Sequence, residues 1–294
     1  MEEGTTKSSA ETYMATIIDG KELAKNIRED LKLKVDSLKQ QGIFPKLAVI
    51  MVGNDPGSTV YVRNKSKACE KVGIEFEEFL YDENLKEEEL LKVIDKLNAD
   101  DTVHGILLQS PVPKTIDINK AFRRISPEKD VDGFNPVNVG NLCIGEDAFI
   151  SCTPYGIIKM LEAYNIETEG KNAVILGRSN IVGKPMIQCM LKKNSTVTVC
   201  HSKTRNIEEI TRNADILIAA IGKPKFVKGD MVKEGCTVID VGINRNEDGT
   251  ICGDVDFEAV KDKASYITPV PGGVGPMTIA MLLNNLVKAA EKTK

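Results

Sequence analysis

Short apolar runs alternate with stretches of helical period along most of this chain, and few folds accommodate that alternation. Leu23, Ile27, Leu31, Val35 and Leu38 recur every three or four residues, which predicts an amphipathic helix ended by Gly42. The run 47–52 is apolar throughout and meets the turn-forming Asn54-Asp55-Pro56-Gly57 cluster, so it reads as a buried strand. A helix over about 58–72, a strand near 74–81, a helix near 87–97 and a strand at 103–108 follow. Elements in this order imply a parallel sheet covered by helices, an α/β fold. The pattern pauses over 126–150, a stretch rich in Asp, Asn, Pro and Gly. It resumes with a helix at 154–164, a strand at 173–176, a helix after Lys184-Pro185, and strands at 196–200, 216–220 and 237–241. This second half reads as a smaller, nucleotide-binding sheet. The loop 269–276 leads to a last helix carrying Ile279, Leu282, Leu283 and Leu286. At 294 residues, two domains are the expectation.

Gly177-Arg178-Ser179-Asn180-Ile181-Val182-Gly183 lies between the strand 173–176 and a helix with Pro185 in its first turn. Glycines there permit a tight turn and close backbone approach, and the helix N-terminus would attract a pyrophosphate. The spacing departs from GxGxxG: Ser179 holds the second glycine position and the last glycine comes one residue late. An ordinary strand–helix turn would also carry these residues. Where the next strand ends, at His201-Ser202-Lys203-Thr204-Arg205, no carboxylate offers itself to a ribose hydroxyl. Ser202, Lys203 and Arg205, with Arg178, could meet a 2′-phosphate instead, which favours NADP over NAD; a solvated basic turn is the plainer alternative.

In the first half, Tyr61 and Lys65 share one helix face at a spacing of four. Gln109 follows the strand 103–108, at the end of a parallel strand where ligands bind, although a loop cap explains a lone Gln equally well. Asp130-Val131-Asp132-Gly133 sits where turn formation alone would account for Asp and Gly. His104 reads as structural, and His201 as a shaper of the cofactor loop.

Composition removes other classes. Thirty-nine Lys and Arg against 43 Asp and Glu give a net charge of −4, which argues against nucleic acid or anionic membrane as a partner. Apolar runs of about six residues fall far short of a membrane span. Seven Cys without a CxxC pair and two His signal neither a disulfide framework nor a zinc site, so no metal is expected. The first residues carry Glu2, Glu3 and Glu11 and neither an apolar core nor an Arg-rich stretch, so they read as a flexible leader and the cytoplasm as the location.

The combination is more specific than its parts. Tyr61-Val62-Arg63-Asn64-Lys65, Leu108-Gln109-Ser110-Pro111, Lys129-Asp130-Val131-Asp132-Gly133-Phe134-Asn135, Gly177-Arg178-Ser179 and Pro269-Val270-Pro271-Gly272-Gly273-Val274-Gly275-Pro276 occur in this order. With Cys152-Thr153-Pro154 and Gly242-Ile243-Asn244, the chain from about residue 15 onward resembles the methylenetetrahydrofolate dehydrogenase/methenyltetrahydrofolate cyclohydrolase family. Beyond the leader, taken as 1–14, the resemblance implies a folate-binding catalytic α/β domain over 15–151 plus the returning helix at 275–294, and a Rossmann-like NADP-binding domain over 152–274. It implies tetrahydrofolate derivatives as substrates and a homodimer. Lys65 would be the catalytic lysine, Gln109 its hydrogen-bonding partner, Tyr61 the residue stacked on the aminobenzoyl ring and Asp132 the anchor of the pterin edge. Leu108, Ser110 and the loop Pro271, Gly272, Gly273, Val274 and Gly275 would border the folate. Gly177, Arg178, Ser179, Ser202 and Ile243 would hold NADP. Ser110 departs from the apolar residue many relatives carry.

Overall fold

The computed structural model describes residues 14–294; the expected leader, Met14 apart, lies outside the described residues. A two-residue strand, β1 (Thr16–Ile17), precedes α1 (Gly20–Gln40), whose N-cap Asp19 accepts from Glu22 N–H at 2.9 Å. The apolar stripe of α1 is buried through Ala24, Leu31, Val35 and Leu38, and Gly42, at φ +81°, turns the chain beyond its end.

Then come β2 (Lys46–Val52), α2 (Pro56–Val72), β3 (Glu75–Tyr81), α3 (Glu87–Ala99) and β4 (Gly105–Leu108). The three strands form a parallel sheet in the order β3–β2–β4. Helix α2 begins at the Asp55 cap, with Pro56 in its first turn, and stops at left-handed Gly73. The central strand is apolar on both faces because both are covered: Leu47, Val49 and Met51 enter one core, Ala48, Ile50 and Val52 another.

The segment 126–150 is more regular than its composition predicts. After α4 (Ile118–Arg124) it forms α5 (Pro136–Ile144), capped by Asn135, started by Pro136 and ended by left-handed Gly145. Those signals are short-range and the helix lacks an apolar stripe, so periodicity alone misses it.

The rest comprises α6 (Cys152–Ala163), β5 (Asn172–Leu176), α7 (Gly183–Lys192), β6 (Thr196–Cys200), α8 (Ile207–Arg212), β7 (Ile216–Ala219), β8 (Thr237–Asp240), the antiparallel pair β9 (Asn244–Arg245) and β10 (Ile251–Cys252), α9 (Phe257–Val260), β11 (Tyr266–Ile267) and α10 (Val274–Glu291). The second sheet is parallel, in the order β1–β11–β8–β7–β5–β6, and so it is the larger of the two, not the smaller. Two of its strands, β1 and β11, are only two residues long and leave no periodicity to read. The expected grouping of residues from 15 onward with the first domain meets a difference here: Thr16 and Ile17 pair with Tyr266 and Ile267, in the second sheet. Alternate residues again serve two cores, Ile216 and Ile218 on one side and Leu217 and Ala219 on the other.

Helix α10 packs on α1 and α6. Leu282, Leu283 and Leu286 are buried in the core shared by the two sheets, each contributing about 1.5–3 kcal/mol of apolar burial. No helix among the described residues is long and apolar enough to cross a membrane.

Candidate active site

The first group of side chains gathers where α2 passes the carboxyl end of β4. Lys65 Nζ donates to Gln109 Oε1 at 2.7 Å. Gln109 is fixed on its other sides: its backbone N–H donates to Ile50 O at 2.9 Å and its Nε2 to Ser110 O at 3.2 Å. The same Ser110 carbonyl accepts from Ser58 Oγ at 3.1 Å, which ties the start of α2 to the loop. With Nε2 so engaged, Oε1 is the end presented to the lysine. Tyr61, one turn earlier, is 46% exposed and leaves its ring open to a ligand. Leu108 is buried beneath them and Ser110 is exposed.

Asp132 stands on a loop held from several sides. Lys129 Nζ donates to the carbonyls of Leu97, Asn98 and Asp100 at 3.0, 2.9 and 2.7 Å, a cation at the C-terminus of α3. Buried Asp130 accepts from Phe134 N–H, Asn135 N–H and Asn138 Nδ2 at 3.2, 2.8 and 2.9 Å. From α10, Asn285 Nδ2 donates to Val131 O at 2.9 Å and Ile150 O at 3.0 Å. Gly133, at φ +74°, lies so close to Phe149 O that a Cβ would be 2.6 Å from it. All this bonding leaves the Asp132 carboxylate itself without a hydrogen-bond donor among the described residues. Burial pushes its pKa up to about 6, against the pull of the Lys65 ammonium. An acceptor without a protein donor is free to take N–H groups from a ligand.

A second group lies at the carboxyl ends of β5 and β6. Gly177, at φ +118°, is forced by the fold as well as by its dihedral, because a Cβ would collide with Ala220 O. A Cβ on Gly183 would meet the Gly177 carbonyl and Arg178 Cα. The turn thus has the close-packed glycines a dinucleotide requires, and the residues fit such a cofactor. The N–H groups at the start of α7 are engaged within the turn and the helix. In the first turn of α7, Gly183 N–H donates to Ser179 Oγ, Lys184 N–H to Ser179 O, Pro185 has none, and Met186 N–H donates to Val182 O. The backbone N–H groups of 178–181, in the turn itself, have no partner among the described residues. Ser179 shapes that turn with its hydroxyl, accepting from Val182 and Gly183 N–H at 3.1 and 3.3 Å.

Gly177 N–H donates to Cys200 O at 2.9 Å, which sets this turn beside the end of β6. There Ser202, Lys203 and Arg205 are exposed, as is Arg178. His201 Nδ1 accepts from Lys203 N–H at 3.2 Å and so helps shape the loop, while His104 Nδ1 accepts from Lys46 N–H at 3.1 Å and is held below its usual pKa by burial.

Ile243, 53% exposed after β8, forms one wall of a hollow of about 140 Å³ whose other wall is Pro271, Gly272, Gly273, Val274 and Gly275. That loop is backed by the N-terminal segment, a contact the sequence did not announce: Lys21 N–H donates to Gly272 O at 3.1 Å, and a Cβ on Gly20 would collide with Gly273 O. Asn285, Asp240 and Asp254 were likewise missed. Asn285 lies inside an apolar helix stripe, Asp240 ends an apolar strand, and only the polarity of such buried positions could have flagged them.

Two parallel α/β units, one bearing a Lys–Gln pair and a free carboxylate, the other a glycine-bounded dinucleotide turn, define a two-domain dinucleotide-dependent enzyme. The chain belongs to the tetrahydrofolate dehydrogenase/cyclohydrolase family: the catalytic-domain model matches residues 18–132 and the NAD(P)-binding-domain model residues 151–294. It is 56% identical to the bifunctional protein FolD of Bacillus subtilis, over 95% of this chain and 99% of that protein. The crystal structure of the bifunctional FolD methylenetetrahydrofolate dehydrogenase/cyclohydrolase from Campylobacter jejuni aligns with a TM-score of 0.95 at 53% identity, covering 95% of this chain and 100% of that one. The Trypanosoma brucei enzyme, solved with NADP cofactor and an inhibitor, aligns at 0.91 and 37% identity, covering 95% and 98%.

Proposed function

We propose that this chain oxidises 5,10-methylenetetrahydrofolate to the 5,10-methenyl compound with NADP and hydrolyses that product to 10-formyltetrahydrofolate, within one-carbon metabolism. The observation that carries this reading is the Lys65–Gln109 contact beside a carboxylate, Asp132, with no protein donor, in a chain of this family.

NADP, when bound, supplies the hydride acceptor. Gly177, Arg178, Ser179, Ser202 and Ile243 would hold it, and the protein's task in the oxidation is alignment of two bound molecules. The exposed Tyr61 ring offers a stacking face to the aminobenzoyl group, and Asp132 accepts from the pterin's amino and ring N–H groups. Leu108, Ser110 and the Pro271 to Gly275 loop border the same substrate. Hydrolysis of the methenyl bridge must take a proton from water and later deliver one to a ring nitrogen, and Lys65 moves those protons. Gln109 holds the Lys65 Nζ in place without adding charge.

The family likeness supports a homodimer, checked by light scattering of the purified protein. All seven cysteines are free thiols, which suits a reducing compartment such as the cytoplasm.

The deciding experiment mixes purified protein with methylenetetrahydrofolate and NADP or NAD, and follows NADPH and methenyl absorbance together. A shikimate- or amino-acid-type dehydrogenase would share the architecture. Turnover of shikimate or glutamate, with none of the folate, would overturn the reading.

A further inference from the structure

Asp240 ends β8 and Asp254 follows β10; both carboxyls are buried, and each accepts three hydrogen bonds. Asp240 takes the N–H groups of Gly242, Asp254 and Val255 at 3.0, 2.9 and 3.1 Å. Asp254 takes those of Ile221 and Gly222 at 2.8 and 2.9 Å, and Asn244 Nδ2 at 2.9 Å. Three loops, after β7, β8 and β10, therefore share two side chains. The intervening glycines are dictated by that closeness, since a Cβ on Gly242 would strike the Asp254 carboxyl and one on Gly253 the Asp240 carboxyl. Every partner is an N–H donor, so the set requires acceptors and offers none of its own.

The location gives the clasp its meaning. Loops after β7 and β8 lie at the carboxyl edge of a parallel sheet, where ligands bind. Ala220, whose carbonyl limits Gly177 to glycine, immediately precedes the two N–H groups that Asp254 holds. Ile243 lies between Gly242 and Asn244, both fixed by the pair. We propose that Asp254, supported by Asp240, is a positioning residue for the dinucleotide: it fixes the 221–222 and 242–244 backbone against which the cofactor lies beyond the Gly177 turn. This rests on the dehydrogenase reading.

The test compares Asp254→Asn and Asn244→Ala with the parent. Asp254→Asn keeps the shape but places an NH₂ donor against donors; Asn244→Ala removes one bond and leaves the backbone pair. The expected KM for NADP is about tenfold higher in the first and about threefold higher in the second, with kcat changed less. Hydrolysis of methenyltetrahydrofolate, run without dinucleotide, should stay within about twofold in both. Parental NADP constants in both variants overturn the proposal. So does an equal loss of both reactions, which would make the pair a structural clasp only. A parent protein with neither activity overturns the functional reading instead, and is distinguished by that.

Discussion

Asn285, on the last helix, donates to the carbonyl of Val131, 154 positions earlier, at 2.9 Å. Its second amide hydrogen goes to Ile150 O at 3.0 Å, so one buried side chain pins the backbone on both flanks of the Asp132 loop. Asn285→Leu keeps the branched shape, strands Ile150 O and leaves Val131 O only the weak Cys152 thiol at 3.6 Å, at a cost of about 1–3 kcal/mol for the stranded carbonyl. The expected outcome is a lower urea midpoint together with a higher KM for the folate, NADP affinity being unaffected. Unchanged stability would show that the two carbonyls find other donors.

With Asp132 as the proposed pterin anchor, folate binding should depend on pH. Burial raises the pKa of Asp132 to about 6, so the carboxylate proposed to accept pterin N–H groups is depleted below that pH and complete above it. Folate affinity should therefore rise between about pH 5 and 7 and then level off. Asp240 titrates at about 6 as well, so the series is run beside Asp132→Asn. The variant should bind weakly with a flat profile. A profile in Asp132→Asn that parallels the parent would assign the titration elsewhere.

These residues were legible to different degrees. Strands such as β2 and β5 are visible because six or so successive apolar residues between turn signals have little alternative. The Tyr61, Lys65, Gln109 and Asp132 set was conspicuous through the order of its motifs, whereas each residue alone was compatible with a cap or a turn. Asn285, Asp240 and Asp254 act through partners far away in sequence, and no local period reports such contacts. The same holds for β1, whose two residues gain their meaning from pairing with β11 about 250 positions later. That Ser179 takes up N–H groups at the start of α7 with its own oxygens is likewise something spacing cannot reveal.

Cofactor choice should depend on Arg178. It is exposed beside a turn whose neighbouring strand, β6, ends without a carboxylate. Arg178→Ala is expected to weaken NADP by about 1.5–3 kcal/mol, the scale of a hydrogen bond to a charged group, while leaving NAD nearly unchanged. Titration of both dinucleotides by fluorescence quenching checks this. Equal losses would mean that Arg178 serves the pyrophosphate, not the 2′-phosphate.

Lys65 separates the two reactions. Loss of hydride from the methylene bridge is driven by the neighbouring nitrogen lone pair and leaves a cation, so that step has no obligatory base. Hydrolysis requires a group that can both give and take a proton. The lysine side chain, with Nζ 2.7 Å from Gln109 Oε1, is placed to do so, taking a proton as the amine and giving one as the ammonium, whereas arginine keeps its proton under all working conditions. Lys65→Arg preserves the charge and a donor for Gln109 but not proton transfer. Methenyl hydrolysis should fall by at least about 100-fold, the lower end of what general acid–base catalysis contributes. Dehydrogenase activity should fall less, by whatever the larger head does to alignment. Both are read in one cuvette, as methenyl accumulation against formyltetrahydrofolate formation. Hydrolysis by the variant at near the parental rate would make Lys65 a binding residue, and the proton would have to travel by water or by Asp132.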